Sequence, residues 1–238
     1  MSLRSTALLA VIAAMFAVPA LAADLAAPGP EPVTQLPAYA QYNWSGPYVG
    51  IQAGYGWGKS TGGSPLLGSR KLDPKGPFGG LHAGYNYQFP GGFLLGVEAD
   101  ANLAGLRGDG GVLSSGGAAL PGTYGNSSMD WNASIRARAG YGIDRFLPYI
   151  TGGVAFGGYK FDPVYGVAGR QPFSDTLTGW TIGGGLEYGF TDNITGRIEY
   201  RYTDYGSMST GIKNVAPLEN SRTDLKTNDV HVGVSYKF

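Results

Sequence analysis

Cysteine is absent from the 238 residues. No disulfide can staple the fold, no thiolate is available as nucleophile or metal ligand, and no lipid can be attached through a cysteine. Histidine is scarce, with two in the whole chain, which is thin for a metal centre that also lacks thiolates. Neither sign of charge is in excess: 17 basic and 17 acidic residues cancel. That balance provides no basic stripe for a nucleic-acid partner. After the first 22 residues, no apolar run is long enough to cross a bilayer as a helix. A membrane protein built from this chain must therefore be a closed barrel of strands, the other architecture that satisfies every backbone group in lipid.

What is present begins with a secretion signal. Arg4 supplies a positive start, and Ala7–Val18 is an apolar run too short to span a bilayer. Ala20-Leu21-Ala22 places small residues where a signal peptidase reads them. Cleavage is expected between Ala22 and Ala23, so residues 1–22 are read as a signal peptide. Residues 23–43 carry Pro28, Pro30, Pro32 and Pro37 among alanines and read as a semi-extended periplasmic linker. Residues 44–238 are left as one all-β domain. Its 41 glycines would suit low complexity, but 16 Tyr and 10 Phe in regular alternation argue for a fold.

The alternation is clearest at the C-terminus. Val230, Val232, Val234, Tyr236 and Phe238 alternate with His231, Gly233, Ser235 and Lys237. A strand sends successive side chains to opposite faces, so one face is apolar and the other polar. Six further segments repeat the pattern and one is ambiguous. Val49, Ile51, Ala53, Tyr55 and Trp57 oppose Gly50, Gln52, Gly54 and Gly56; Leu95, Val97, Ala99 and Leu103 oppose Glu98, Asp100 and Asn102. In the fourth segment Met129, Trp131, Ile135 and Tyr141 oppose Asp130, Arg136 and Arg138. The fifth, over 147–159, has small residues on both faces and its phase is open. Tyr, Trp and Phe on the apolar faces gather near strand ends, where two interfacial girdles would lie.

The connections sort by length. Residues 90–92, 142–145 and 191–193 are tight turns, whereas 59–75, 107–127, 162–175 and 206–225 are long, polar and glycine-rich. Short turns on one side and long loops on the other is the outer-membrane arrangement. The expected fold is an eight-stranded antiparallel transmembrane β-barrel with both termini and the short turns in the periplasm and four long extracellular loops.

Eight strands leave an interior just wide enough for side chains. The inward faces are read as a polar network of Glu98, Asp100, Asp130, Glu187, Glu199 and Asp229 against Arg136, Arg138, Arg197, Arg201 and Lys237. Buried charges must pair, so the network reads as a salt-bridged plug, with a gated polar pore as the sharper reading. His82 and His231 also point inward. A His–acid–Ser hydrolase would need a serine and an acid within hydrogen-bond reach, and in the barrel enzymes of that kind the site faces outward, so no catalytic residue is assigned. Gly108-Asp-Gly-Gly111 and Gly183-Gly-Gly185 open no helix and are not phosphate loops. No cofactor and no metal are expected.

Several segments resemble the OmpA-type barrel superfamily. More narrowly, they resemble the small major outer-membrane surface proteins of alphaproteobacteria, the group of the Brucella-type surface antigens. The matching stretches include Trp44-Ser-Gly-Pro-Tyr-Val-Gly50, Gly84-Tyr-Asn-Tyr-Gln88, Gly96-Val-Glu-Ala-Asp100 and Arg136-Ala-Arg-Ala-Gly-Tyr141. Leu147-Pro-Tyr-Ile-Thr-Gly-Gly153, Gly179-Trp-Thr-Ile-Gly-Gly-Gly-Leu-Glu-Tyr188 and Ile198-Glu-Tyr-Arg-Tyr-Thr-Asp-Tyr-Gly206 continue them in order. The resemblance implies an abundant envelope protein exposed through its loops, and it supplies no catalytic residues. Phe238 with Tyr236 resembles the signal by which barrel-assembly machinery recognises its clients. The chain stops at Phe238, so the peptidoglycan-binding domain of OmpA itself is not expected.

These readings converge on a structural protein of the Gram-negative outer membrane that supports envelope integrity and surface presentation. Its expected partners are outer-membrane lipid and lipopolysaccharide, with periplasmic chaperones and assembly machinery during biogenesis. The alternatives are a small porin for ions or tiny solutes, and a surface protein whose loops contact host or ligand molecules.

Overall fold

The computed structural model describes residues 42–64, 68–108, 114–115, 118–119, 123–165, 169–170, 173–209 and 222–238. The expected cleavage site at Ala22 and Ala23, and all but the last two residues of the expected linker, lie outside the described residues. The barrel strands are β1 (Gly46–Ser64), β2 (Lys75–Gln88), β3 (Phe93–Gly108) and β4 (Thr123–Tyr141), then β5 (Phe146–Tyr165), β6 (Phe173–Gly189), β7 (Ile194–Ser209) and β8 (Arg222–Lys237). Each pairs antiparallel with its sequence neighbours. The ring closes through β1 and β8, from Tyr48 opposite Lys237 to Gly63 opposite Arg222. Closure removes the sheet edge, which is what lipid demands.

The apolar face looks outward. Ile51, Leu81, Val97, Ile135, Ile150, Ile182, Ile198 and Val232 are all exposed, which would be untenable in water and is required in lipid. Two aromatic girdles border this band. Tyr87, Phe89, Phe93, Tyr141, Tyr188, Phe190, Tyr236 and Phe238 ring the tight-turn end, with edge-on contacts such as Tyr87–Phe89 at 4.8 Å and Tyr236–Phe238 at 5.1 Å. Trp57, Trp131, Trp180, Tyr200 and Tyr202 ring the other end, with Trp180–Tyr202 at 5.4 Å. Trp131 and Tyr141 are ten residues apart on β4. At a rise of about 3.4 Å and a tilt of about 40°, that spacing spans ~26 Å of membrane, close to the usual apolar height of such barrels.

Two sequence expectations are corrected here. The strands run well past the girdle on the long-loop side. β1 continues to Ser64, and residues 68–72 pair back on it from Ser60 opposite Leu72 to Ser64 opposite Gly68. Much of the segment read as loop 59–75 is therefore strand. Above the lipid no face has to be apolar, so the ladder persists after the period-two signal has faded. The second correction is the phase of β4. A register shift lies between Met129 and Trp131, and Asp130 is the extra residue of a bulge. The bulge turns Met129 inward, where it is 3% exposed, and turns Asp130 outward. The open phase of the fifth strand is settled as well: Leu147, Tyr149, Thr151, Ala155 and Tyr159 face in, and Ile150 and Val154 face lipid.

Candidate functional site in the barrel lumen

Inward side chains stack in three layers along the barrel axis. The middle layer is polar and is held by strands from every side. Glu98 on β3 is its hub. It accepts from the Tyr48 hydroxyl at 2.7 Å and from the guanidinium groups of Arg136 and Arg197. Arg136 also reaches Glu199 at 2.5 Å and the Thr151 hydroxyl at 3.0 Å. Arg201 bridges Asp100 at 3.1 Å and Glu199 at 3.1 Å. Arg138 pairs with Glu187, which accepts from Thr195 at 2.6 Å, and it stacks on the Tyr149 ring at 3.8 Å. Gln52 and Asn102 tie β1 to β3 at 2.8 Å, and Asn102 donates onward to Asp100 and Asn132. All these charged groups are buried. Their lone pairs and protons meet many partners at once, the condition under which buried ion pairs are sustained.

The structure thus brings together eight of the predicted network residues: Glu98, Asp100, Arg136, Arg138, Glu187, Arg197, Glu199 and Arg201. Asp229 is buried beside Arg201 across the β7–β8 ladder yet forms no ion pair among the described residues. Two others leave the network. Asp130 lies outside the barrel wall, paired with Lys160 at 2.6 Å, its side chain 48% exposed. Lys237 sits at the periplasmic mouth, where its ammonium donates to the Asn43 carbonyl and lies 4.4 Å from the Tyr42 ring centroid. Its position is the last inward one on β8, below the charged layer. Tyr48, Tyr149 and Thr151 are polar members that sequence reasoning missed. Extending the alternation of β1 back by one step would have found Tyr48; Tyr149 and Thr151 were hidden by the unresolved phase of their strand.

An apolar layer closes each end. At the long-loop side Phe78, Leu106, Met129, Ala155, Tyr159, Leu177, Tyr205 and Leu225 form one buried cluster inside the barrel. At the periplasmic side Tyr42, Trp44, Leu94 and Leu147 form another. The floor is built by the chain just before β1. The Trp44 indole nitrogen donates to the Asp144 carbonyl at 2.9 Å, its backbone N–H donates to Gln88 at 2.9 Å, and the Tyr42 hydroxyl reaches the Asp192 carbonyl at 3.3 Å. Burial pushes the Tyr42 hydroxyl up to about 12, so it stays a donor. Residues 42 and 43, expected as linker, are folded into the mouth. Arg145 stacks over Tyr42 at 5.2 Å and pairs with Asp192 at 2.8 Å, but it is partly exposed. Arg145→Ala is accordingly expected to cost about 1 kcal/mol or less, measured by urea unfolding of the refolded barrel. A larger loss would show that the rim pair holds the floor in place.

The two histidines lie in different surroundings. His82 Nε2 is 2.7 Å from the Ser235 hydroxyl, and among the described residues its Nδ1 has no hydrogen-bond partner. His231 is 2% exposed and packs on Phe78 at 4.5 Å, and among the described residues neither ring nitrogen has a hydrogen-bond partner. Among the described residues no cluster of His, Asp and Glu suits a metal ion.

A closed eight-stranded barrel, apolar outside and ion-paired inside, between aromatic girdles, defines a β-barrel protein of the outer membrane. Residues 32–238 match the family model described as "Outer membrane protein beta-barrel domain", and the chain belongs to that family. It is 36% identical to the 31 kDa outer-membrane immunogenic protein of Brucella melitensis over 97% of this chain and 98% of that one. It is 34% identical to the 25 kDa outer-membrane immunogenic protein of Brucella abortus over 100% of this chain and 99% of that one. Among solved structures, the outer membrane protease OmpT of Escherichia coli aligns with a TM-score of 0.55 at 10% identity, covering 81% of this chain and 97% of that one. That likeness is one of fold alone.

Proposed function

We propose that this protein is a structural element of the outer membrane that stabilises the envelope and presents its loops at the cell surface, without catalysis. The observation that carries the reading is the layered lumen: among the described residues, two buried apolar layers enclose an ion-paired middle. A porin needs a wetted path, and an enzyme needs a reactive group that substrate can reach. The relatives' naming as outer-membrane immunogenic proteins supports surface display. The exposed Phe238 ring, at 69%, adds nothing to the packed interior and is free to serve as a recognition tag for assembly machinery. Lipid and lipopolysaccharide outside, and chaperones during transit, are the partners this role requires.

Planar-bilayer recording of the refolded mature barrel tests it. No stable single-channel steps are expected in concentrated potassium chloride. Reproducible steps that vanish when the protein is omitted would replace this reading with a small porin.

A further inference from the structure

A niche of about 320 Å³ opens on the outer face of β4, β5 and β6, at and just above the long-loop-side girdle. One row of the sheet forms its base: Trp131 lies opposite Gly158, and Gly158 opposite Thr176. Trp131 is laid flat there. A Cβ on Gly158 would fall 2.7 Å from Trp131 Cδ1 and 2.8 Å from Cε2, and closer still to Nε1. Glycine at 158 is thus what lets the indole rest against the wall with its other face turned out. Trp131 is 38% exposed, and its N–H meets no protein acceptor among the described residues. Asp130, swung out by the bulge, and Lys160 stand over it, and Ser174, Asp175 and Thr176 line the far side.

This set is unlike the rest of the girdle, where aromatic rings pack on one another. An open indole face with carboxylates, hydroxyls and one ammonium around it is a lining that suits a sugar. The ring stacks on the indole, carboxylates accept from hydroxyl or amide groups, and the ammonium meets a phosphate. The niche also lies at a particular depth. It starts at the girdle on the long-loop side, which in an outer-membrane barrel is the outer leaflet. The headgroups at that depth belong to the glycolipid of that leaflet, a phosphorylated, acylated aminosugar. We infer that this niche is a seat for the phosphoaminosugar headgroup of the outer-leaflet glycolipid, with its acyl chains running down the apolar wall below Trp131. The inference rests on the outer-membrane placement in the proposed function and adds a site to it.

Native mass spectrometry of the detergent-solubilised mature barrel, titrated with purified lipid A and separately with phosphatidylglycerol, tests the assignment. Lipid A is expected to bind more tightly than phosphatidylglycerol. Trp131→Ala and Asp130→Asn should each weaken lipid A roughly tenfold, the equivalent of about 1.4 kcal/mol. Gly158→Ala should weaken it too, by lifting the indole while removing no ligand-contacting group. Trp180→Ala, in the same girdle outside the niche, should bind as wild type. Heat-modified gel mobility confirms that each variant is folded. Equal weakening by Trp180→Ala and Trp131→Ala would reduce the site to general annular lipid and overturn the inference, as would equal binding of phosphatidylglycerol. A conducting barrel that still binds lipid A through Trp131 would end the structural reading and leave the site standing.

Discussion

Glu98→Ala should destabilise the barrel by about 3–5 kcal/mol, because removing one partner of a buried ionic cluster strands the others. Glu98 is 2% exposed and receives the Tyr48 hydroxyl and two guanidinium groups. Without it Arg197 keeps, among the described residues, a hydrogen bond to Gln52 at 2.7 Å and no ion-pair partner. Arg136 keeps Glu199 but loses its second short contact. Asp130→Ala is the matched comparison. Both acids share the polar parity of their strands by sequence, yet Asp130 pairs with Lys160 in solvent, where an ion pair contributes about 0–1 kcal/mol. Urea unfolding in phospholipid vesicles, followed by tryptophan fluorescence, reads both. Equal small losses would mean that the inner cluster adds nothing to stability, and its retention would then need another cause.

One such cause lies in the route the chain takes. A core of apolar residues of similar volume can be as stable as a buried ion cluster. Yet a chain apolar on both faces would offer the inner membrane long hydrophobic segments. Alternation with charged inward residues holds the mean hydropathy at −0.08, which lets an outer-membrane protein pass through the periplasm as an almost soluble polypeptide.

The barrel was legible in the sequence because lipid imposes one rule on every strand over its whole membrane depth. Outward Val97, Ile135, Ile198 and Val232 obey it, and so do inward Glu98, Arg136 and Glu199. The rule fades where lipid ends. At Met129 and Asp130 a bulge reversed the parity above the girdle, with no local sequence mark to announce it. The two apolar layers were unreadable for a related reason. Leu94 and Leu147 are apolar yet face inward at the floor, and Leu106, Leu177 and Leu225 do so at the lid. A period-two reading takes a leucine as lipid-facing, so it misreads a barrel that caps its own lumen. Gly158 shows the same limit on the outside: small residues on both faces left the phase of its strand open, and the indole lying across it depends on the cross-strand register.

Val97→Arg should cost about 2–4 kcal/mol in a bilayer, the depth-dependent penalty for a cation near the midplane of a lipid-facing strand. Val97 is 61% exposed on β3, between Phe93 at the periplasmic girdle and Leu103, which lies opposite Trp131 at the outer one. A natural contrast would be an arginine on the polar face at Asn102, but that position is not roomy. Asn102 is 3% exposed and bonded to Gln52, Asp100 and Asn132, so an arginine there would overfill a packed lumen and is expected to be damaging in its own way. The informative control is Asp224→Arg, at an exposed position near the long-loop end of β8, where the penalty should fall to about 0–1 kcal/mol. Reversible urea unfolding in phosphatidylcholine vesicles measures both, and repeating it in detergent micelles separates depth from packing. Micelles deform around a charge, so the gap between the two variants should narrow there. A Val97→Arg barrel as stable in vesicles as Asp224→Arg would place Val97 away from the midplane, and with it the whole vertical registration of the girdles on β3 and β4.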